Sequence, residues 1–278
     1  MNPLLVDELL KNYLLEDIGR VDLTTEGIYR GERAKAVIVA KEDGILAGLP
    51  FAVRVFRLLG GDFKINSSLL EGFPFSKGDI LLELEGNAKT LLMGERLALN
   101  ILQRLSGIAT KTRKMVERIK EFPVKLLDTR KTTPGFRLFE KYAVKVGGGE
   151  NHRFALYDMV LIKDNHIKVA GGIKEAVKRV RELIPPVYKI EVEVSNLKEL
   201  EEALELQVDI VMLDNFPLEQ VKKAVEIVQN SNNSTKVEVS GGINESNIRD
   251  YALTGIDYIS SGSIIHSARW LDLSMKFL

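Results

Sequence analysis

The chain lacks several features on which common protein functions depend. Its 278 residues include no cysteine, which excludes disulfides, a thiolate nucleophile and a cysteine-ligated metal. The three histidines are far apart and form no H-x-x-x-H pair, which argues against a zinc site. Acidic and basic residues balance at 39 each, so the charge gives no reason to expect nucleic acid binding.

Long hydrophobic runs are missing as well. No apolar run approaches the ~20 residues that span a bilayer. Residues 1–17 also lack the basic start and small-residue cleavage site of a signal peptide. We therefore predict an amphipathic N-terminal helix, no membrane partner and a cytoplasmic location.

The residues up to about position 107 show mixed local patterns. Residues 34–48 alternate and contain Asp43-Gly44, which indicates a hairpin. Residues 51–61 predict a helix closed by Gly60. Short strand-like runs follow, and residues 94–121 predict one or two strong helices. This pattern is typical of an α+β domain that ends in a long helix.

The rest of the chain alternates between apolar, β-branched runs and helical segments. Such alternation indicates a parallel sheet with right-handed crossovers. We predict a TIM-like barrel, incomplete because only six strands are evident. A doubly wound open sheet is the alternative, but no G-x-G-x-x-G supports a dinucleotide-binding version. The strand-like runs are 124–131, 159–165, 190–195, 209–215, 236–242 and 257–263.

Positive charge concentrates between Asp128 and His166. The cations lie beside Thr, Gly and Asn, directly after strand-like runs, and not on a solvated helix face. Strand-end loops of this kind hold the active sites of α/β enzymes. An anionic ligand is therefore predicted here. The cations are Arg130, Lys131, Arg137, Lys141, Lys145, Arg153 and Lys163.

Two later strand ends carry carboxylates. Glu193 and Asp214 either pair with Lys131 or Lys163, or hold Mg²⁺ together with substrate phosphates. Glu191 points to the same side of its strand as Glu193. Either glutamate can therefore be the key residue, and Glu193 lies nearer the strand end.

The last two strands end in small-residue loops. Loops after the final strands of a barrel commonly bind phosphate through backbone N–H groups. The residues alone therefore support Mg²⁺-assisted chemistry on a phosphorylated, carboxylated small molecule. The loops are Ser240-Gly241-Gly242 and Ser261-Gly262-Ser263.

Several different sequence motifs, taken together with their spacing, point to a known family. They are EDIGRVDLTT (16–25), GERLALNILQRLSGIAT (94–110), DTRKTTPGFR, GGGENHR, LIKDNHI, EVEV, LDN, SGGI and SGS. With these motifs the chain resembles quinolinate phosphoribosyltransferase over essentially its whole length. One departure is that Val21 precedes Asp22, where the family usually has a glycine.

The resemblance implies a fold and a reaction. Residues 1–107 would form an α/β sandwich and residues 108–266 an incomplete, open TIM-like α/β barrel of seven strands. Residues 267–278 would return to the N-terminal domain. Family members are homodimers with shared active sites. They join quinolinate to 5-phosphoribosyl-1-diphosphate with Mg²⁺ and no organic cofactor, releasing pyrophosphate and CO₂ and yielding nicotinate mononucleotide for NAD biosynthesis.

The resemblance also implies roles for individual residues, carried over by motif. The catalytic residues are Lys131, Glu193 and Asp214, of which Glu193 and Asp214 face the metal. Quinolinate is bound by Arg96 of the partner subunit and by Thr129, Arg130, His152, Arg153 and Lys163. The phosphoribosyl group is bound by Ser240, Gly241, Gly242, Ser261, Gly262 and His266.

Two other functions compete with this one. A nicotinate phosphoribosyltransferase binds a single carboxylate, for which five candidate cationic side chains are more than needed. A non-catalytic phosphoribosyl or nucleotide sensor on the same barrel would be expected to lack Lys131, Glu193 or Asp214, and all three are present.

Overall fold

The structure is a computed structural model that describes residues 1–231 and 234–278. None of the helices in these ranges has the length and apolar character that a membrane crossing requires. The strands are β1 Arg33–Ala40, β2 Gly44–Ile45, β3 Phe63–Ser68, β4 Pro74–Phe75, β5 Ile80–Asn87, β6 Lys125–Leu127, β7 Val160–Ile162, β8 Ile190–Val194, β9 Ile210–Asp214, β10 Lys236–Ser240, β11 Tyr258–Ser260 and β12 Leu273–Phe277. The helices are α1 Pro3–Ile18, α2 Leu23–Ile28, α3 Leu49–Leu58, α4 Ala88–Ile119, α5 Arg137–Val146, α6 Asp164–Ala170, α7 Ile173–Leu183, α8 Leu197–Glu205, α9 Leu218–Asn230, α10 Ile248–Ala252 and α11 Ser263–His266.

The chain divides into two compact units. The first comprises residues 1–113, 133–148 and 268–278. Its main sheet is antiparallel in the order β12-β1-β5-β3. The C-terminal strand β12 pairs with β1 along the register Ala36↔Phe277 to Ala40↔Leu273. The apolar core of this unit contains Phe56, Leu82 and Leu102, all fully buried.

The expected hairpin at Asp43-Gly44 is wrong. Strand β1 pairs with β5 and β12, whereas β2 pairs with β4. Gly44 does not form a hairpin turn; it allows neighbouring side chains to pack closely against the backbone. A Cβ atom at Gly44 would lie 2.4 Å from Leu271 Cδ1 and 2.8 Å from the ring of Phe75. Long-range packing therefore outweighs the local turn signal. The predicted helix over 51–61 is confirmed as α3, and Gly60 follows it at φ +74°.

The second unit comprises residues 114–132 and 149–267. Its six strands form one parallel sheet in the order β6-β11-β10-β9-β8-β7. All six strands predicted from the sequence are confirmed. The first strand, β6, pairs with the last, β11, so the sheet curls as a barrel does. Every residue of β8 is buried, which is typical of a parallel strand covered on both faces.

The sheet does not close within the described residues, and the seventh strand implied by the family is reduced to one bridge. Glu150 bridges Leu127 in parallel, but the pairing stops there. The Asp128 carboxylate accepts from the backbone N–H of His152 at 2.9 Å and from Asn151 Nδ2 at 2.6 Å. A side chain thus takes the hydrogen bond that a neighbouring strand would otherwise accept.

Candidate active site

A cavity of about 710 Å³ lies at the carboxyl ends of the parallel strands in the second unit. It is lined by every residue carried over from the family resemblance except Arg96, which is exposed on α4 in the first unit. Three of the seven cations expected to bind an anion also lie outside it, because they belong to α5 of the first unit: Arg137, Lys141 and Lys145. The expected residues that line it are Thr129, Arg130, Lys131, His152, Arg153, Lys163, Glu193, Asp214, Ser240, Gly241, Gly242, Ser261, Gly262 and His266. Ser263, from the second predicted small-residue loop, also lines it. The lining residues that the sequence did not predict are Leu161, Met212, Asn215, Ile243, Asn244 and Ser260.

Cationic side chains line one part of the cavity. Arg130 and Lys131 follow β6, and the backbone N–H of Lys131 donates to Thr129 Oγ1 at 3.0 Å. Arg153 is only 8% exposed, and its Nη1 donates to the carbonyl of Met159 at 3.1 Å. Burial lowers the pKa of the Arg153 guanidinium, and Arg130 lowers it further. An anion placed between these two arginines would relieve their mutual repulsion.

Lys163 and Glu193 form an ion pair at the mouth of the barrel, with Nζ and Oε2 2.7 Å apart. The Lys163 side chain remains 45% exposed, so its ammonium is accessible from the cavity. The backbone N–H of Lys163 donates to His166 Nδ1 at 2.9 Å. His166 thus has a structural role at the start of α6.

Glu193 is the last residue but one of β8, and Asp214 is the last residue of the neighbouring strand β9. Glu193 Oε2 faces Lys163, and Asp214 Oδ2 accepts from Asn215 Nδ2 at 2.8 Å. Two carboxylates at adjacent strand ends in a cavity fit Mg²⁺, which commonly takes one or two carboxylates and completes its shell with phosphate oxygens and water. This donor set suits a metal bound jointly with a phosphorylated ligand.

The small-residue loops are shaped by close backbone packing. Gly241 has φ +98°, and a Cβ there would lie 2.2 Å from Asn215 Oδ1. At Gly262 a Cβ would lie 2.9 Å from Lys131 Cδ and 3.1 Å from His266 Cδ2. Only glycine leaves this space open, so a ligand can approach the backbone N–H groups.

The serine and histidine near this loop have partners of their own. The Ser261 hydroxyl donates to the carbonyl of Ile243 at 2.7 Å, and its backbone N–H donates to Leu127. Ser261 therefore orders the loop. His266 lines the cavity, and its Nδ1 lies 2.8 Å from Ser267 Oγ.

Below the cavity lies a buried layer of polar side chains. Glu191 and Glu238, on β8 and β10, are both fully buried and absent from the cavity wall. Of the two glutamates on β8 only Glu193 lines the cavity, which favours Glu193 as the key carboxylate. His152 Nε2 lies 3.1 Å from Glu191 Oε2 and 3.6 Å from Glu238 Oε2. Sequence reasoning missed Glu238, although it occupies a strand pattern, VEV, shared with β8.

The His152 ring has a second fixed contact. The backbone N–H of Arg153 donates to His152 Nδ1 at 2.8 Å. Both ring nitrogens therefore face protein groups, and the ring meets the cavity between them.

Comparison with known proteins shows which protein family the chain belongs to. Residues 22–106 match the N-terminal domain of quinolinate phosphoribosyl transferase, and residues 108–276 match its C-terminal domain. A probable nicotinate-nucleotide pyrophosphorylase [carboxylating] of Methanocaldococcus jannaschii is 46% identical over 278 residues, covering 98% of this chain and 96% of that protein. The Synechocystis protein of the same name is 44% identical, covering 99% and 93%. The solved nicotinate-nucleotide pyrophosphorylase from Francisella tularensis has a TM-score of 0.93 at 41% identity, covering 100% of this chain and 98% of that one.

Proposed function

Because the chain belongs to the quinolinate phosphoribosyl transferase family, we propose that it transfers phosphoribosyl from 5-phosphoribosyl-1-diphosphate to quinolinate. The products are nicotinate mononucleotide, pyrophosphate and CO₂, within NAD biosynthesis in the cytoplasm. One observation carries the proposal. A single cavity joins four cationic side chains, two strand-end carboxylates and two small-residue loops, which suits a dicarboxylate beside a phosphorylated sugar.

The arginine side of the cavity binds quinolinate in this proposal. Arg130 and Arg153 present planar guanidinium groups, which match carboxylates with paired hydrogen bonds. Lys163 supplies a third cation within its own subunit. Arg96 would come from the partner subunit of a homodimer, where the N-terminal domain of one chain covers the barrel mouth of the other.

The carboxylate side binds the sugar and the diphosphate. Glu193 and Asp214 face the ribose hydroxyls and would hold Mg²⁺, and Lys131 lies between quinolinate and the diphosphate. Bound Mg²⁺ supplies charge neutralisation to the departing pyrophosphate. The backbone around Gly241, Gly242 and Gly262, with Ser240 and His266 nearby, holds the 5-phosphate.

The proposed reaction has two successive steps, phosphoribosyl transfer and then decarboxylation. The bond between the anomeric carbon and the diphosphate oxygen breaks, and the pyridine nitrogen donates its electron pair to that carbon. The developing positive charge on the ribose is stabilised by Glu193 and Asp214, and Lys131 neutralises the leaving group. Positioning contributes strongly because the quinolinate nitrogen is a poor nucleophile. The 2-carboxylate then leaves as CO₂, its bonding electrons stay on the ring carbon, and a proton replaces it.

A product assay tests the proposal. Purified protein with quinolinate, 5-phosphoribosyl-1-diphosphate and Mg²⁺ is expected to release pyrophosphate and CO₂ in equal amounts. Nicotinate in place of quinolinate is expected to give no product. Turnover of nicotinate without CO₂ would identify a nicotinate phosphoribosyltransferase, and binding without pyrophosphate release would identify a sensor.

A further inference from the structure

The direction of the hydrogen bonds around His152 determines where its proton lies. Nδ1 is 2.8 Å from the backbone nitrogen of Arg153, which always carries a hydrogen. Nδ1 must therefore accept, so the ring proton lies on Nε2. That proton points toward Glu191 and Glu238, which lie at 3.1 and 3.6 Å.

The same geometry argues against a metal in this cluster. His152, Glu191 and Glu238 bring three ligand atoms within 4.8 Å of one another, a spacing a metal ion would accept. A metal on Nε2 would force the proton onto Nδ1. A proton on Nδ1 would point at the backbone N–H of Arg153, so that two hydrogen-bond donors would face each other. A doubly protonated imidazolium meets the same conflict.

A neutral histidine leaves the two carboxyl groups without a full counter-charge. No side-chain oxygen of Glu191 or Glu238 has a well-aligned hydrogen bond, although both groups are buried. The other titratable groups that act on Glu238 are His152 and Lys163, the latter from the end of β7, and Arg153 interacts with Glu191.

We propose that His152 is a positioning residue. The ring accepts the main-chain N–H of Arg153 at Nδ1 and so fixes the backbone of the arginine assigned to quinolinate, while its Nε2–H faces Glu191 and Glu238. The ring itself donates no hydrogen bond to the substrate. The effect on quinolinate rests on the proposed function, whereas the protonation state of the ring does not.

Nuclear magnetic resonance of the resting protein tests the ring directly. In protein labelled with ¹⁵N-histidine, we expect one of the three histidines to show a protonated Nε2 and an unprotonated Nδ1 at about pH 7. Loss of that signal in a His152 variant assigns it. An imidazolium, or a proton on Nδ1, would overturn the proposal even if the enzyme proved to have another substrate.

Two variants separate positioning from direct binding. In His152→Asn the side-chain oxygen can replace Nδ1 as acceptor, whereas in His152→Gln the side-chain amide can replace the Nε2–H donor. We expect the KM for quinolinate to rise about 5- to 10-fold more in the Gln variant than in the Asn variant, the effect of one lost hydrogen bond. The KM for 5-phosphoribosyl-1-diphosphate and kcat should change less.

The opposite order would mean that Nε2–H contacts the substrate, and wild-type KM in both variants would also overturn the proposal. Far-ultraviolet circular dichroism and thermal unfolding check that both variants fold. If neither folds, the protonation state seen by NMR in the wild-type protein decides. If the wild-type protein turns over no quinolinate, the proposed function is wrong, but the NMR spectrum still tests the protonation state of His152 independently.

Discussion

Replacing Glu238 by glutamine tests the buried carboxyl pair by a measurement that needs no substrate. Burial raises the pKa of Glu238 from 4.5 to about 8, and the nearby Glu191 contributes in the same direction. The folded chain therefore keeps a proton on Glu238 that the unfolded chain has already lost at neutral pH. Glutamine has nearly the shape of the protonated carboxyl group and cannot titrate.

The sign of the effect follows from this raised pKa. A proton bound more tightly by the folded state stabilises it fully below about pH 4.5, and this contribution is lost as the pH rises to about 8. One pKa unit corresponds to about 1.4 kcal/mol, so the contribution of Glu238 to the free energy of unfolding falls by about 3–5 kcal/mol across this range. The Gln variant lacks that component.

Urea unfolding at several pH values measures the difference. The wild-type protein should lose stability relative to Glu238→Gln as the pH rises from about 5 to about 8. Glu201→Gln, on the exposed face of α8, is the matched control and should run parallel to the wild-type curve. Parallel curves for the wild type and Glu238→Gln would refute a resident proton on Glu238.

Three further predictions concern the proposed reaction. Arg153→Ala should lower kcat/KM for quinolinate by the equivalent of about 2–4 kcal/mol, the range for one charge-assisted contact in a desolvated site. Lys178→Ala, on the outer helix α7, is the control and should leave kcat/KM unchanged. A near-normal quinolinate KM and kcat in Arg153→Ala would exclude this role of Arg153. Asp214→Asn should raise the Mg²⁺ concentration needed for half-maximal rate and lower kcat with little change in quinolinate affinity, and an unchanged Mg²⁺ titration would make Asp214 a structural residue. Arg96→Ala and Lys131→Ala should each be nearly inactive but recover about a quarter of wild-type activity when mixed and re-dimerised, since about half the dimers are mixed and each has one intact site. No recovery after verified subunit exchange would place the action of Arg96 within its own chain.

The parallel sheet was predictable because its strands are buried on both faces. Runs such as IEVEV are rich in β-branched residues, and all five residues of that run, its two glutamates included, are buried in β8. Regular recurrence of such runs between helices needs no long-range information. The Asp43-Gly44 hairpin failed because strand partners in an antiparallel sheet are chosen by packing across the whole unit. Residues 133–148 follow β6 in sequence but belong to the first compact unit, an excursion that local patterns do not reveal.

The candidate site was predictable at its rim and not beneath it. Strand-end position identified the cations, the carboxylates and the small-residue loops that line the cavity. The role of His152 depends on which atom donates to Nδ1, and that contact comes from the backbone of its own neighbour. Residue type and spacing carry no information about the direction of such a bond.

Glu191 and Glu193 show why depth along a strand matters as much as the face of the strand. Residues two apart point to the same side and are separated by about 6.6 Å along the strand. That distance puts Glu193 at the cavity, paired with Lys163, and Glu191 one layer below, beside His152 and Glu238. A charge at the upper layer can meet a ligand, metal or water, whereas a charge at the lower layer must be balanced by protons and neighbouring side chains. A glutamate therefore faces the ligand in the upper layer, as Glu193 does, and supports neighbouring side chains in the lower layer, as Glu191 does.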